Sequence, residues 1–213
     1  MNTDALIDAI VARGSTAHPG SIRRRYTVAL AAGIVVTALV MLSALGPRHD
    51  FAHAIALPMF WVKLAFVASL AILGTVAAFR SGLPGRRVSA PLSGIAVVIA
   101  GIGIVAIAAL AESPPAARTA LLLGNTWKTC PWLVAGLSVP LFVAIASAMR
   151  GMAPTHPRRA GALAGFASGA TAALVYAFHC PELAAPFIGT WYVLGMLVPT
   201  IAGALLGPRL FRW

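Results

Sequence analysis

Six long apolar runs, each near the length of a bilayer crossing, divide the chain, and nearly all of its charge falls in the gaps between them. The runs extend from about Tyr26 to Gly46, Pro58 to Phe79, Pro91 to Ala111, Pro131 to Met149, Gly161 to Phe178 and Thr190 to Leu206. With 60% of its 213 residues hydrophobic and only 10% charged, the chain has more apolar surface than a soluble core could hide. Spans of ~20 residues leave no room for a folded soluble domain. The expected fold is therefore all-α: an integral membrane bundle of six transmembrane helices. A short segment over residues 1–25 precedes a membrane domain over residues 26–213.

The net charge of +11 is informative through its distribution. Arg13, Arg23, Arg24, Arg25, Arg80, Arg86, Arg87, Arg150, Arg158, Arg159, Arg209 and Arg212, which are 12 of the 16 basic residues, occupy alternate gaps. Arg48, Lys63, Arg118 and Lys128 lie in or near the other gaps, with Asp50, Glu112 and Glu182. The positive-inside rule then places both termini in the cytoplasm. Topology alone explains these arginines, so no direct nucleic-acid contact is expected. Residues 1–25 lack the apolar core of a cleavable signal, and the first run is expected to act as an uncleaved anchor.

Residues 3–13 read as a short amphipathic helix. Leu6, Ile7, Ile10 and Val11 form one apolar stripe, with Asp4 and Asp8 off it. So short a helix is marginal alone and needs a partner surface. That surface is either its own bundle or the membrane, or else a soluble protein that takes the stripe in a groove. Two acids and one arginine argue against the lipid surface.

The stretch from Arg150 to Glu182 is the most distinctive. Arg150, Arg158 and Arg159 flank a run in which Gly161, Gly165 and Gly169 recur every four residues, a spacing that lets a second helix approach backbone to backbone. His179, Cys180 and Glu182 close the run, and the only other cysteine is Cys130. Both cysteines precede proline, which favours an element boundary at the cysteine and predicts thiols at span ends, reachable from outside. If spans four and five adjoin, the pair could form a disulfide, or chelate a soft metal ion with His179 adding a nitrogen. The bland alternative is two unconnected apolar side chains.

His49, Asp50 and His53 could also ligate metal, but such residues on an exposed loop are more often solvated polar groups. Lys63, one turn inside span two, is expected to snorkel outward. Trp127 and Trp132 read as headgroup anchors beside a short interfacial helix over ARTALLLG.

No CxxC, HExxH, phosphate-cradling loop or Ser-His-Asp spacing occurs, so the chain is not read as an enzyme. A thiol oxidoreductase passing electrons to a quinone lacks closely spaced cysteines, and a small transporter would ordinarily carry mid-span charge.

Thr129-Cys130-Pro131, the stretch RGMAPTHPRRAGALAGFASGATAALVYAFHCPE and the terminal GALLGPRLFRW together resemble the NrsF family, over nearly the whole chain. These are six-span bacterial inner-membrane proteins named as negative regulators of an extracytoplasmic-function (ECF) sigma factor. The resemblance implies an anti-sigma factor with both termini cytoplasmic. It implies that the N-terminal segment binds the sigma factor, and that Cys130 and Cys180 are periplasmic and respond to heavy-metal or oxidative stress. No obligatory cofactor is implied, only a soft heavy-metal ion as a possible signal; the partners implied are the ECF sigma factor and membrane lipid.

Overall fold

The computed structural model describes Thr3, Asp4, Asp8, Ala9 and residues 19–212. Thr3, Asp4, Asp8 and Ala9 are helical and exposed, while the expected stripe of Leu6, Ile7, Ile10 and Val11 lies outside the described residues. Every regular element among the described residues is helical. The long helices are α1 (Pro19–Ala44), α3 (Pro58–Ser81), α4 (Ser89–Glu112), α6 (Cys130–Met149), α7 (Pro157–Tyr176) and α9 (Val193–Leu210). Short α2 (Phe51–Ile55) and α5 (Pro115–Leu123) lie in the connections, and α8 (Ala185–Phe187) runs through a π-helical turn (Ile188–Tyr192) into α9. Pro58, Pro115 and Pro157 open their helices, where proline's missing N–H costs nothing. Span one was expected from Tyr26, but α1 starts at Pro19 and carries Arg23, Arg24 and Arg25 within it.

Five of these helical segments, Gly20–Ala44, Pro58–Ser81, Ser89–Glu112, Cys130–Met149 and Ala185–Leu210, are long and apolar enough to cross a membrane. α7 is not among them. Its side chains are mostly Gly, Ala, Ser and Thr after two arginines, and it has no need of larger apolar groups because it sits at the centre, packed on α9, α3, α6 and α1. A Cβ on Gly161 would run into the Gly203 carbonyl, and one on Gly165 into the Pro199 carbonyl. Only glycine permits this approach, which brings two backbones together along the α7–α9 seam. The buried Ser168 and Thr171 hydroxyls donate back to the Ala164 and Ala167 carbonyls at 2.7 and 2.8 Å, so these two are paired within α7 itself.

Contacts across the bundle fix the helix directions. Arg25 Nη2 donates to the Ser147 carbonyl and Thr37 Oγ1 to that of Leu137, so α1 and α6 run antiparallel. Gly74 meets Phe166 while Lys63 reaches Cys180, which makes α3 and α7 antiparallel as well. Consequently the loops at residues 82–88 and 150–156 and the end of α9 gather at one end of the bundle, and with them most of the arginines. The other end carries α2, α5 and the irregular segment 177–184.

Candidate functional site

Cys130 is the first residue of α6, and Cys180 lies in the turn that follows α7. The Tyr176 carbonyl accepts the Cys180 N–H at 3.0 Å, which places the thiol under the end of α7 and facing α6. There the two thiols, fifty positions apart in sequence, are buried in the same core cluster, close enough to perturb one another's ionisation, and both are free. The expectation of thiols reachable from outside is corrected here: both residues are 0% exposed. The reason is that segment 177–184 folds inward over the bundle end instead of out into a loop. The hydrogen bond from Cys130 holds the Cys180 thiol below its ordinary pKa, with the Lys63 ammonium adding to it against the opposing cost of burial.

Segment 177–184 is a keystone. His179, Cys180 and Glu182 do not converge on a common point; each side chain reaches a different part of the fold. His179 Nδ1 donates to the Gly46 carbonyl at 2.8 Å, so its imidazole is turned to the α1–α2 connection and away from the cysteine pair. Gly46 itself has φ +72°, a conformation that glycine adopts without strain where the chain leaves α1. Glu182 Oε1 accepts the Asn125 N–H at 2.7 Å and ties the segment to the α5–α6 connection. Among the described residues no three His, Cys, Asp or Glu side chains are grouped to hold a metal ion. Asp50, paired above with His49 and His53 as possible ligands, instead takes a two-pronged contact from Arg48 Nε and Nη2, both at 2.7 Å.

Two cations that the sequence reading set aside belong to this site. Lys63 does not snorkel outward. It is 0% exposed, and its Nζ donates to the carbonyls of Cys180 at 2.8 Å and Glu182 at 3.0 Å. Its stem starts on the inner face of α3, in line with Phe60, Val67, Leu70 and Gly74 at spacings of three and four, a stripe that the apolar residues on the rest of the helix mask in the sequence. Arg48 is buried too, with Nη2 3.5 Å from the Pro181 carbonyl and Nη1 without a partner. Tyr192, in the π-helical turn, lies under the Lys63 ammonium with 5.2 Å from Nζ to its ring centroid. Tyr176 stands 5.9 Å from Tyr192 and 5.6 Å from His179, ring to ring. Nothing in the chain's local pattern distinguishes the two tyrosines from ordinary core aromatics.

Around this core, Trp191 Nε1 donates to the Leu122 carbonyl at 2.8 Å, and its ring lies 5.3 Å from that of Trp127. Trp132 is 69% exposed on the outside of α6. Short α5 (Pro115–Leu123) covers most of ARTALLLG, where a helix was expected.

Comparison with known proteins gives a consistent result. The family described as "Negative regulator of sigma F" (NrsF) matches residues 11–213. The "Probable anti-sigma-F factor NrsF" of Azospira oryzae is 44% identical over 213 residues, covering 100% of both chains. The "Anti-sigma-F factor NrsF" of Caulobacter vibrioides is 35% identical over 214 aligned residues, again covering 100% of both. No solved structure matches the chain.

Proposed function

We propose, on the premise that this chain belongs to the NrsF family of negative regulators of sigma F, a way in which it carries out that role. As an anti-sigma factor it is a regulator and not an enzyme. In our reading it holds a sigma factor of the ECF type at the cytoplasmic face of a bacterial inner membrane and releases it when the Cys130–Cys180 pair changes state. The observation that carries the sensing step is the meeting of the chain's two cysteines inside the bundle, beside a buried ammonium. A soft metal ion bridging two thiolates would draw the sulfurs into its own geometry and release their protons. An oxidant such as a peroxide would instead take two electrons and two protons and leave a disulfide.

Six spans with both termini cytoplasmic fit this reading. α7 has 20 residues, ~30 Å of helix, and is shielded from lipid by its neighbours. The arginine-rich end would face the cytoplasm and the cysteine end the periplasm. Leu6, Ile7, Ile10 and Val11 would present the apolar stripe that takes the sigma factor. Moving the population from 99% retained to 99% released needs ~5.5 kcal/mol of differential binding. A metal ion that binds the released arrangement more tightly by that amount, through its bonds to the two sulfurs, would drive release.

The deciding experiment is co-purification of a sigma factor with the tagged full-length chain in mild detergent, with and without residues 1–18, the part of the chain ahead of α1. Capture that vanishes on truncation supports the reading, and no capture by the full-length chain ends it. Replacing both cysteines by serine should keep the sigma factor bound and abolish induction by cadmium. Normal induction in that variant would remove the sensing step while leaving the anti-sigma role in place.

A further inference from the structure

Three consecutive carbonyls, those of Cys180, Pro181 and Glu182, all face cationic side chains. Lys63 takes the first and third at 2.8 and 3.0 Å, and Arg48 stands 3.5 Å from the second. These carbonyls lie where the chain is neither helix nor strand, so no ladder supplies them with donors. The Lys63 ammonium in turn has no carboxylate to pair with: Asp50 is engaged by Arg48, and the Glu182 carboxylate by the Asn125 N–H. Burying a cation against neutral carbonyls is costly, and a methionine stem would fill the same space without that cost. A lysine here is therefore explained by what it grips and not by packing. Its grip also reaches Tyr192 in the π-helical turn, so one ammonium touches α3, the cysteine segment and the start of α9.

We propose that Lys63 is a positioning residue for the cysteine pair: by gripping the Cys180 and Glu182 carbonyls it straps segment 180–182 to α3 and keeps the bundle in its sigma-retaining arrangement. The proposal rests on the reading of the pair as a sensor. An event that draws the Cys180 sulfur toward a new bonding partner pulls on the backbone of the same residue, whose carbonyl Lys63 holds, and so loosens the strap. The other end of the strap is a rigid helix that runs from Lys63 to Arg80 at the arginine-rich end of the bundle. A change at the cysteines is thereby transmitted along α3 to the opposite end.

The test uses the full-length chain in its membrane, with a sigma-dependent reporter read without inducer and with cadmium ion. Lys63→Met should raise the uninduced reporter roughly tenfold or more, the scale expected for losing charge-assisted bonds, at unchanged membrane abundance. Lys63→Gln, which keeps one neutral donor, should fall between Met and the parent chain. Release by Lys63→Met should persist when Cys130 and Cys180 are both serine, because the strap acts after the thiols. A Lys63→Met chain that stays silent without cadmium and responds normally to it overturns the proposal. Should Lys63→Met fail to accumulate, amide exchange of segment 182–188 in the unsubstituted chain decides. About tenfold faster exchange on adding cadmium supports the strap, on the same bond-loss scale, and unchanged exchange overturns it. If the double-serine chain is still induced by cadmium while Lys63→Met releases the sigma factor, the sensing reading fails and the strap survives as a structural switch.

Discussion

Of the membrane-length helices, α4 has the most apolar composition, and it buries only Pro91, Ile95 and Ile102. α7 is the least apolar of the long helices and buries thirteen of its 20 residues. The contrast separates two quantities that a hydropathy reading merges. Large apolar side chains record contact with lipid, and α4 displays Val97, Ile104 and Ile107 outward at 68–70% exposure. Small residues record contact with protein, since without a hydrophobic force between helices in lipid it is close packing that holds them together. Glycine follows the same division. Nothing lies within 4 Å of where a Cβ would stand on Gly101 or Gly103 of α4, whereas Gly161 and Gly165 of α7 lie against α9 backbone.

Substitutions can break or sharpen this contrast. The largest effect is expected from Gly165→Leu, whose side chain has only the Pro199–Thr200 backbone to enter. A loss of ~3 kcal/mol or more should leave little monodisperse protein in detergent. Gly101→Leu at the lipid-facing equivalent should purify like the parent, and equal damage from the two would refute the division. Ile102→Ala, one of the few inward contacts of α4, should cost about 2 kcal/mol and lower the thermal midpoint. Val97→Ala beside it should change stability by less than about 0.5 kcal/mol. Gly101→Ala should stabilise α4 by about 0.5–1 kcal/mol through lost chain freedom in the unfolded state, and a drop in midpoint there would point to an unseen partner on that face.

The smallest effect lies outside the spans. Arg48 holds the Asp50 carboxyl at about 2, below its unfolded value of ~3.9. The folded pKa is depressed, so this contribution is fully present above about pH 4 and fades as the pH falls through 2. Melting curves at pH 5 and at pH 2.5 should show a slightly steeper acid loss for the parent than for Asp50→Asn. Parallel losses would mean that the ion pair contributes nothing.

The sequence revealed positions along the chain better than orientations around it. Runs of apolar residues located the long helices, because a helix edge is a change in composition. Its register needs periodicity, and in α3 the apolar residues surround the helix so evenly that the inward stripe of Phe60, Lys63, Val67, Leu70 and Gly74 is hidden among them. The general behaviour of lysine near a span end therefore points Lys63 the wrong way. The four-residue glycine spacing was legible because glycine is scarce enough in a helix to stand out. The cysteines were legible as a pair because there are only two. Their burial was not, since it depends on segment 177–184 turning inward through bonds to Gly46, Asn125 and Lys63, contacts between residues 57 to 133 positions apart. The π-helical turn at Ile188–Tyr192 had no signature at all: one extra residue in a helical turn leaves composition untouched.

The central position of α7 bears on how the protein is made. A segment of glycine, alanine, serine and threonine headed by two arginines gains less from entering hydrocarbon by itself than the other long helices do. Its lining is complete only when α6 is beside it and α9 has been synthesised, some 53 residues after α7 begins. The newborn chain thus spends an interval with its fifth long helix uncommitted. Until then the α7 face that carries Gly161 and Gly165 lacks the backbone it packs against.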